Sequence, residues 1–124
     1  MSQFFVVGVG GCLGAIARYW LSGLVQRYSN GEFPFGTLAV NVIGCLAIGY
    51  VIGLVEYRQL LGPNLRLFLI VGVLGGFTTF SAFGYETFAL LRDSQHWLAL
   101  ANVAANTVTG IIAVVVGWIA AKLM

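Results

Sequence analysis

Charge is scarce in this chain of 124 residues, which carries six Lys or Arg, four Asp or Glu and a single His. Charged residues make up 8% of the sequence and hydrophobic residues 60%, whereas soluble domains have roughly 25% and 45–50% respectively. A formal net charge of +2 that rests on so few residues provides no basic surface for a nucleic-acid partner. Because a chain this apolar does not remain monomeric in water, its composition indicates an integral membrane protein.

Potential metal ligands and redox groups are equally few. The two cysteines, Cys12 and Cys45, both fall inside apolar segments, and we interpret them as small packing residues rather than as a disulfide or a metal pair. His96 has no second ligand nearby in the sequence, so we assign it no metal role. We expect no cleavable signal, because the N-terminus lacks a basic region and the apolar run after it carries Arg18. We interpret that run as the first membrane span.

Four apolar segments are each long enough to cross a bilayer, which takes about 20 helical residues. The 17 glycines suit membrane helices, which pack closely through small residues. Gly10 and Gly14 form such a GxxxG pair in the first segment. We predict an all-α membrane protein in which residues 1–124 form a single four-helix transmembrane domain. Its predicted spans cover residues 4–25, 34–55, 65–91 and 97–119.

The third span is unusual because, at about 27 residues, it is longer than a straight span needs to be. Its centre holds the pair Gly75-Gly76, followed by Thr78 and Thr79. Small residues and β-branched hydroxyls there predict a helix break near residues 75–79, which is tolerated only where protein or a wet cavity covers it. Unwinding also frees carbonyl oxygens that can bind Na⁺, although one short break offers too few for a full shell.

The basic residues give the chain no preferred orientation. Four spans place both termini on the same side of the membrane. The six basic residues divide evenly between that side and the other: Arg58, Arg66 and Lys122 against Arg18, Arg27 and Arg92. The positive-inside rule is therefore neutral. This neutrality permits insertion both ways, and an inverted dimer would bring two copies of the break together.

Neutral polar side chains, most of them hydrogen-bond donors, lie inside the predicted spans. Asp and Lys are absent from the span centres, and Glu86 lies in the outer part of the third span. Such neutral donors suit a path in which an ion loses its water of hydration and the donors take the place of that water. A proton-coupled pump would instead need an ionisable relay deep in the membrane. The neutral groups are Thr37, Asn41, Thr78, Thr79, Ser81, Asn102, Asn106 and Thr109.

Each candidate also has a simpler interpretation. Asn41 is either a hydrogen-bonding contact between helices or a donor to an anion. Arg18 either extends to the membrane interface or marks the mouth of an anion path. Phe80 and Phe83 either pack as ordinary apolar residues or turn their positive ring edges toward an anion. Glu86 lies on the same helix face as Phe83, and its charge state stays open.

Three stretches resemble the Fluc (CrcB-type) family of bacterial fluoride channels. Residues 36–44 (GTLAVNVIG) and 75–81 (GGFTTFS) resemble two signature motifs, and residues 11–19 (GCLGAIARY) match the first-span pattern. The resemblance covers the whole chain and implies a passive channel that exports toxic cytoplasmic fluoride across the bacterial inner membrane. It also implies an antiparallel, dual-topology homodimer with two fluoride pores. A central structural Na⁺ would be bound by the backbone carbonyls of Gly75 and Thr78.

The same resemblance implies roles for residues at matching positions. Phe80 and Phe83 would form an aromatic box beside Asn41, which would be a pore-lining donor. Arg18 would lie near a vestibule. The other members of the fluoride pore would lie on or beside a polar track: Thr37, Ser81, Glu86, Asn102 and Asn106.

One position departs from the family pattern. The family usually reads Thr-Thr-Phe-Ser-Thr-Phe, whereas this chain has Ala82 in place of the third threonine. The missing hydroxyl removes one contact from the polar track. We expect a slower or altered fluoride path in an intact fold, because alanine favours helix.

Two other functions share the size and the apolar composition. A small proton-coupled multidrug-type exporter would also have four spans and an inverted dimer, but it would need an acid in the middle of the first span, and none is present there. A non-transporting membrane scaffold would require only the glycine-rich faces. It would leave the aligned asparagines and threonines unexplained.

Overall fold

The computed structural model of the protein describes residues 2–124, which form helices joined by short turns. Four helices are long and apolar enough to cross a membrane, and each ends within a few residues of its predicted limits. They are Ser2–Tyr28, Phe35–Arg58, Pro63–Arg92 and His96–Leu123. The prediction of an all-α fold with four spans is therefore confirmed.

The third span contains two helical segments, so five segments are numbered in chain order. The segment before the break combines α-helix at Pro63–Arg66 and Gly75–Phe77 with π-helix at Leu67–Leu74. The five are α1 (Ser2–Tyr28), α2 (Phe35–Arg58), α3 (residues 63–77), α4 (Phe80–Arg92) and α5 (His96–Leu123).

Glycine allows two pairs of helices to approach backbone to backbone. α2 packs along α5, and α1 packs along α3. A Cβ atom on Gly14 would overlap the carbonyl oxygen of Val73, and one on Gly10 would lie 2.9 Å from the Cα of Gly72. The GxxxG face predicted in the first span is thus the face that meets α3, as expected where small residues replace side-chain contact in membrane helices.

Large apolar side chains point mostly away from the protein. The described residues contain a small buried hydrophobic core, in which alanine is the commonest type, whereas Phe4, Trp20 and Trp97 are 82%, 65% and 83% exposed. A water-soluble protein does not expose so much apolar surface. The outer face therefore suits lipid or another protein chain. The core residues are Val40, Phe77, Leu90, Ala99, Ala113 and Ala121.

The break in the third span occupies two residues, Thr78 and Thr79, rather than the predicted stretch from Gly75 onward. Both are extended, with φ/ψ of −80°/156° and −147°/116°. Gly75 keeps helical angles of −63° and −39°. The reason lies in packing, because a Cβ atom on Gly76 would lie 2.5 Å from the carbonyl oxygen of Gly11 in α1. The second glycine of the pair lets two backbones approach and does not unwind the helix.

The π-helical stretch in α3 was not predicted. Eight residues, Leu67–Leu74, adopt it, and the N–H of Gly75 then bonds to the carbonyls of both Ile70 and Gly72. Single π-turns inside α-helices occur often beside functional sites. This longer stretch ends one helical turn before the break. Because a π-helix has a different twist from an α-helix, the stretch affects which direction the last turn of α3 faces.

Candidate ion pathway at the break in the third span

Asn41 of α2 bridges the break. Its Oδ1 accepts a hydrogen bond of 2.9 Å from the N–H of Thr79, and its Nδ2 donates one of 3.1 Å to the carbonyl of the same residue. In an unbroken helix that N–H would donate to the carbonyl of Gly75. The side-chain amide of one helix therefore satisfies the backbone that the other helix leaves open.

The hydroxyl of Thr79 begins the helix that follows the break. Its Oγ1 accepts a hydrogen bond of 3.2 Å from the N–H of Ala82, which is the geometry of a helix N-cap. Thr78 instead closes the helix before the break, since its N–H and its hydroxyl both donate to the carbonyl of Leu74, at 3.0 and 2.9 Å. Neighbouring threonines thus end α3 and begin α4.

An open cavity of about 410 Å³ lies against the break. It brings together six of the predicted site residues, from three of the four spans. Apolar side chains of α2 and α3, including Cys45, Ile48, Ile70 and Leu74, complete much of the wall. The predicted residues that line it are Asn41, Gly75, Thr78, Phe80, Phe83 and Asn106.

Phe80 and Phe83 lie on one wall of this cavity as a tilted pair. Their ring centroids are 5.5 Å apart and their planes form an angle of 56°. Phe80 is 82% exposed, so most of its ring is free to contact lipid, a second chain or a ligand. A tilted pair presents ring edges as well as faces, and aromatic edges carry the positive part of the quadrupole.

A smaller cavity of about 280 Å³ lies on the other side of the break. Arg18 of α1, Thr37 of α2 and Ala82 of α4 line it. Thr79 lines both cavities, so the break borders each of them. The one charged residue of the lining, Arg18, would attract an anion to this side.

Glu86 is held close to the smaller cavity by Thr37. The Thr37 hydroxyl donates a hydrogen bond of 2.6 Å to Oε1 of the carboxyl group. The other oxygen, Oε2, is buried and has no hydrogen-bond partner among residues 2–124. A buried carboxyl oxygen without a partner is costly. Among residues 2–124, Oε2 is the one buried side-chain nitrogen or oxygen atom that lacks a hydrogen bond.

The remaining predicted members of the polar track are placed less directly. Asn102 is fully buried and lines neither cavity, although it bonds to Asn106. Ser81 is exposed, lies 3.5 Å from the hydroxyl of Thr79, and lines neither cavity. Thr109 is exposed and bonds to the carbonyl of Ala105 within its own helix.

Carbonyl oxygens at the end of α3 fit the predicted cation. The described residues hold no cluster of three or more His, Cys, Asp or Glu side chains, so a cation there would depend on neutral oxygens of the backbone or of Thr and Asn side chains. The Gly75 carbonyl has lost its usual helical donor to Asn41, and Thr78 is extended. Unwound backbone carbonyls coordinate Na⁺ in the broken helices of transporters.

Comparison with known protein families identifies the family to which this chain belongs. The family model described as "CrcB-like protein, Camphor Resistance (CrcB)" matches residues 5–118. The chain belongs to the CrcB family. The match includes both cavities and the break between them, and the four helices together with the family establish a multi-pass membrane protein.

Curated CrcB-family relatives cover nearly the whole chain. A protein of Nitratidesulfovibrio vulgaris is 49% identical over 106 residues, or 86% of this chain and 85% of the relative. Proteins of Methylobacillus flagellatus and Pyrococcus horikoshii are each 44% identical, over 95% and 92% of this chain and 93% and 91% of their own lengths. All three are named "Fluoride-specific ion channel FluC", so these relatives are ion channels and not enzymes.

Thr87 of α4 belongs to the hydrogen-bonded surroundings of the site but was missed by sequence reasoning. It accepts a hydrogen bond of 2.9 Å from Asn102 and donates one of 2.8 Å to the carbonyl of Phe83. The only sequence signal was its spacing of four residues from Phe83, which places both on one helix face. A threonine at that spacing often bonds to its own helix, so the pattern alone gave no reason to select it.

Proposed function

We propose that this protein is a passive, fluoride-selective channel that lets toxic fluoride leave the cytoplasm of a bacterium across its inner membrane. One observation carries the proposal: the cavity at the break combines the Asn41 amide with Phe80 and Phe83 and contains no ionisable side chain other than a cysteine thiol. The fluoride-channel names of relatives at 44–49% identity supply the ion.

Neutral donors would replace the water that fluoride loses. In this path the ion meets the amide of Asn41 and the ring edges of the two phenylalanines, passes Thr79, and reaches the smaller cavity beside Arg18. Small, strongly hydrated anions need donors that are already aimed, because reorienting them during passage would slow conduction. The apolar side chains of α2 and α3 in the cavity wall offer no hydrogen bonds to competing water.

The channel is proposed to work as an antiparallel homodimer of dual topology with two pores. Three observations support this assembly: the neutral distribution of basic residues, the 82% exposure of Phe80, and the openness of the larger cavity on the outer face. A second copy would cover the exposed ring and close the cavity. In the same dimer a central structural Na⁺ would be held by the carbonyls of Gly75 and Thr78 from both copies.

The position of the acids favours a channel over the proton-coupled exporter. Glu86 is the one acid within the third span, and its Oε1 accepts a hydrogen bond from Thr37, which lines the smaller cavity. An exporter would need an acid in the middle of the first span, and α1 contains none among its residues. A scaffold would have no use for the polar groups gathered at the break.

Fluoride efflux from liposomes tests the proposal. We expect purified protein to release trapped fluoride quickly with no requirement for a proton gradient, and to release chloride far more slowly. Asn41→Asp keeps the acceptor for the Thr79 N–H but removes both amide donors and adds negative charge, so we expect fluoride efflux to fall by about 100-fold or more. Efflux that required a proton gradient, or equal release of chloride, would rule out a passive fluoride-selective channel.

A further inference from the structure

We propose that the buried Asn102 and the half-buried Thr87 form a positioning pair, which fixes the Asn106 amide and through it the Asn41 donor. The inference rests on the proposed channel function and deepens it. Neither member of the pair lines the larger or the smaller cavity. Both would therefore act through other side chains rather than touch the ion.

A continuous line of hydrogen bonds runs from the break across α5 to α4. Asn41 Nδ2 donates to Asn106 Oδ1 at 3.0 Å, and Asn106 Nδ2 donates to Asn102 Oδ1 at 2.9 Å. Asn102 Nδ2 then donates to the hydroxyl oxygen of Thr87 at 2.9 Å. The line ends where that hydroxyl donates to the carbonyl of Phe83 at 2.8 Å. Along this line each donor faces the next residue toward Thr87, while Asn41 Nδ2 also donates to the Thr79 carbonyl in the break.

Main-chain groups fix the orientation of the amides. The N–H of Thr79 can only donate, so Asn41 must turn Oδ1 toward it and Nδ2 toward Asn106. The Asn102 carbonyl can only accept, so Asn106 must turn Nδ2 toward it and Oδ1 toward Asn41. The Asn102 side chain accepts from that same Nδ2, which leaves its own Nδ2 for Thr87. Reversing any amide would place two donors or two acceptors face to face.

Burial makes the contact between Asn102 and Thr87 hard to replace. Asn102 has 0% exposure, so its amide has no contact with solvent that could replace the bond to the threonine hydroxyl. A buried amide donor without a partner carries the full cost of its desolvation. Side chains in such a line also polarise one another, so the loss of one bond weakens the next.

The line matters for the ion because both N–H groups of Asn41 are already engaged. One donates to the Thr79 carbonyl and the other to Asn106 Oδ1. An anion that binds Asn41 must replace one of these acceptors, and the side-chain acceptor moves more easily than the main-chain one. The position of Asn106 therefore sets how the Asn41 donor is aimed and released. Asn102 and Thr87 hold Asn106 in that position.

Fluoride efflux from liposomes containing full-length variants tests the pair. Thr87→Val keeps the shape of the side chain and removes the hydroxyl, and we expect efflux to slow by about tenfold. Thr87→Ser restores the hydroxyl, and we expect efflux within about twofold of the unmodified protein. Ser29→Ala, which removes a hydroxyl whose hydrogen bond goes to the Val25 carbonyl near the end of α1, serves as the control and should leave efflux unchanged.

A double-mutant cycle separates positioning from a general structural effect. Asn106→Ala cuts the line between the pair and Asn41, so adding Thr87→Val to it should slow efflux by no more than about twofold further. Unchanged efflux for Thr87→Val alone, or a full additional tenfold loss in the double variant, would overturn the proposal. If Thr87→Val does not purify as folded protein, Thr87→Ala takes its place in the cycle.

The outcome can be told apart from failure of the channel function itself. An unmodified protein without fluoride efflux would refute the proposed function. The unmodified protein, the two single variants and the double variant would then test the hydrogen-bonded line through their apparent Tm. The fall in Tm of the double variant should be smaller than the sum of the falls caused by Thr87→Val and Asn106→Ala alone. Additive shifts in Tm would overturn the pair.

Discussion

Asn41 carries out two tasks that sequence reasoning treated as alternatives. Its amide contacts another helix, because it satisfies the backbone of Thr79 with two hydrogen bonds. It also lines the larger cavity between Phe80 and Asn106. The same side chain therefore stabilises the break and presents an amide to the path, which is why a substitution there should affect both stability and conduction.

Ala82 remains the position where this chain departs from its family pattern. Its side chain lines the smaller cavity with Arg18 and Thr37, while its backbone N–H bonds to the N-cap oxygen of Thr79. Only the side chain differs from the usual threonine, so the backbone contact does not depend on the substitution. The local structure thus supports the expectation of an altered path in an intact fold.

Ala82→Thr should accelerate fluoride efflux by about two- to twelvefold, because one added hydroxyl contributes about 0.5–1.5 kcal/mol to a polar contact. Efflux from liposomes measures the change, with Ala89→Thr as a control on the same helix, at a residue that lines neither cavity. Equal rates for the unmodified protein and the Ala82→Thr variant would remove the hydroxyl from the mechanism.

At the scale of helices, glycine decides how closely the spans approach one another. Gly14 faces the Val73 carbonyl, and Gly49 and Gly117 make the same kind of contact between α2 and α5. Backbone cannot move aside as a flexible side chain can, so an added methyl group must separate the helices. Since α3 leads directly into the break, the packing of α1 on α3 also sets the position of Thr78.

Gly14→Ala should lower the stability of the fold by about 1–3 kcal/mol, the usual cost of overpacking. The measurement is the apparent Tm in detergent, read by the loss of helical circular dichroism. Gly23→Ala in the same helix is the matched control, because a Cβ atom there meets nothing within 4 Å. An equal effect of the two substitutions would mean that helix propensity, and not contact with α3, determines the result.

At the scale of the whole molecule, the exposed apolar surface must be covered by lipid or by another protein chain. Phe80 is 82% exposed on the wall of the larger cavity, and large apolar side chains point outward along all four spans. Lipid alone can cover the outer spans, but it would leave the amides of Asn41 and Asn106 in an open cavity that faces hydrocarbon, which is unfavourable. An inverted second copy would resolve this and would bring the freed carbonyls of two breaks together.

Dual topology predicts that each turn is found on both sides of the membrane. In a background with Cys12→Ala and Cys45→Ala, a Ser94→Cys variant in sealed vesicles should react with an impermeant thiol reagent to about half of its total, since the basic residues give no orientation bias. Leu60→Cys, in the turn on the opposite side, should react to the same extent. Complete labelling of one variant together with protection of the other would show a uniform orientation and would contradict the inverted dimer.

The amino-acid sequence alone determined the membrane class, the four spans, the presence of a break in the third and the candidate residues around it. These follow from composition, from apolar length and from motifs, all of which are local properties of the chain. Tertiary structure decided the rest. The break is limited to Thr78 and Thr79 because Gly76 is used for contact with α1 and because Asn41, 38 residues away, takes the freed N–H.

The line of amides from Asn41 to Thr87 shows the same division. Its asparagines were visible as polar residues at helical spacing, but whether each faces an ion, another helix or its own backbone depends on which neighbours surround it. Asn102 is buried away from both cavities, and Thr87 joins the line, because α4 folds back against α5 after the turn that follows Arg92. The hydrogen bond between Asn102 and Thr87 joins two helices, so it depends on how those helices pack and not on the sequence around either residue.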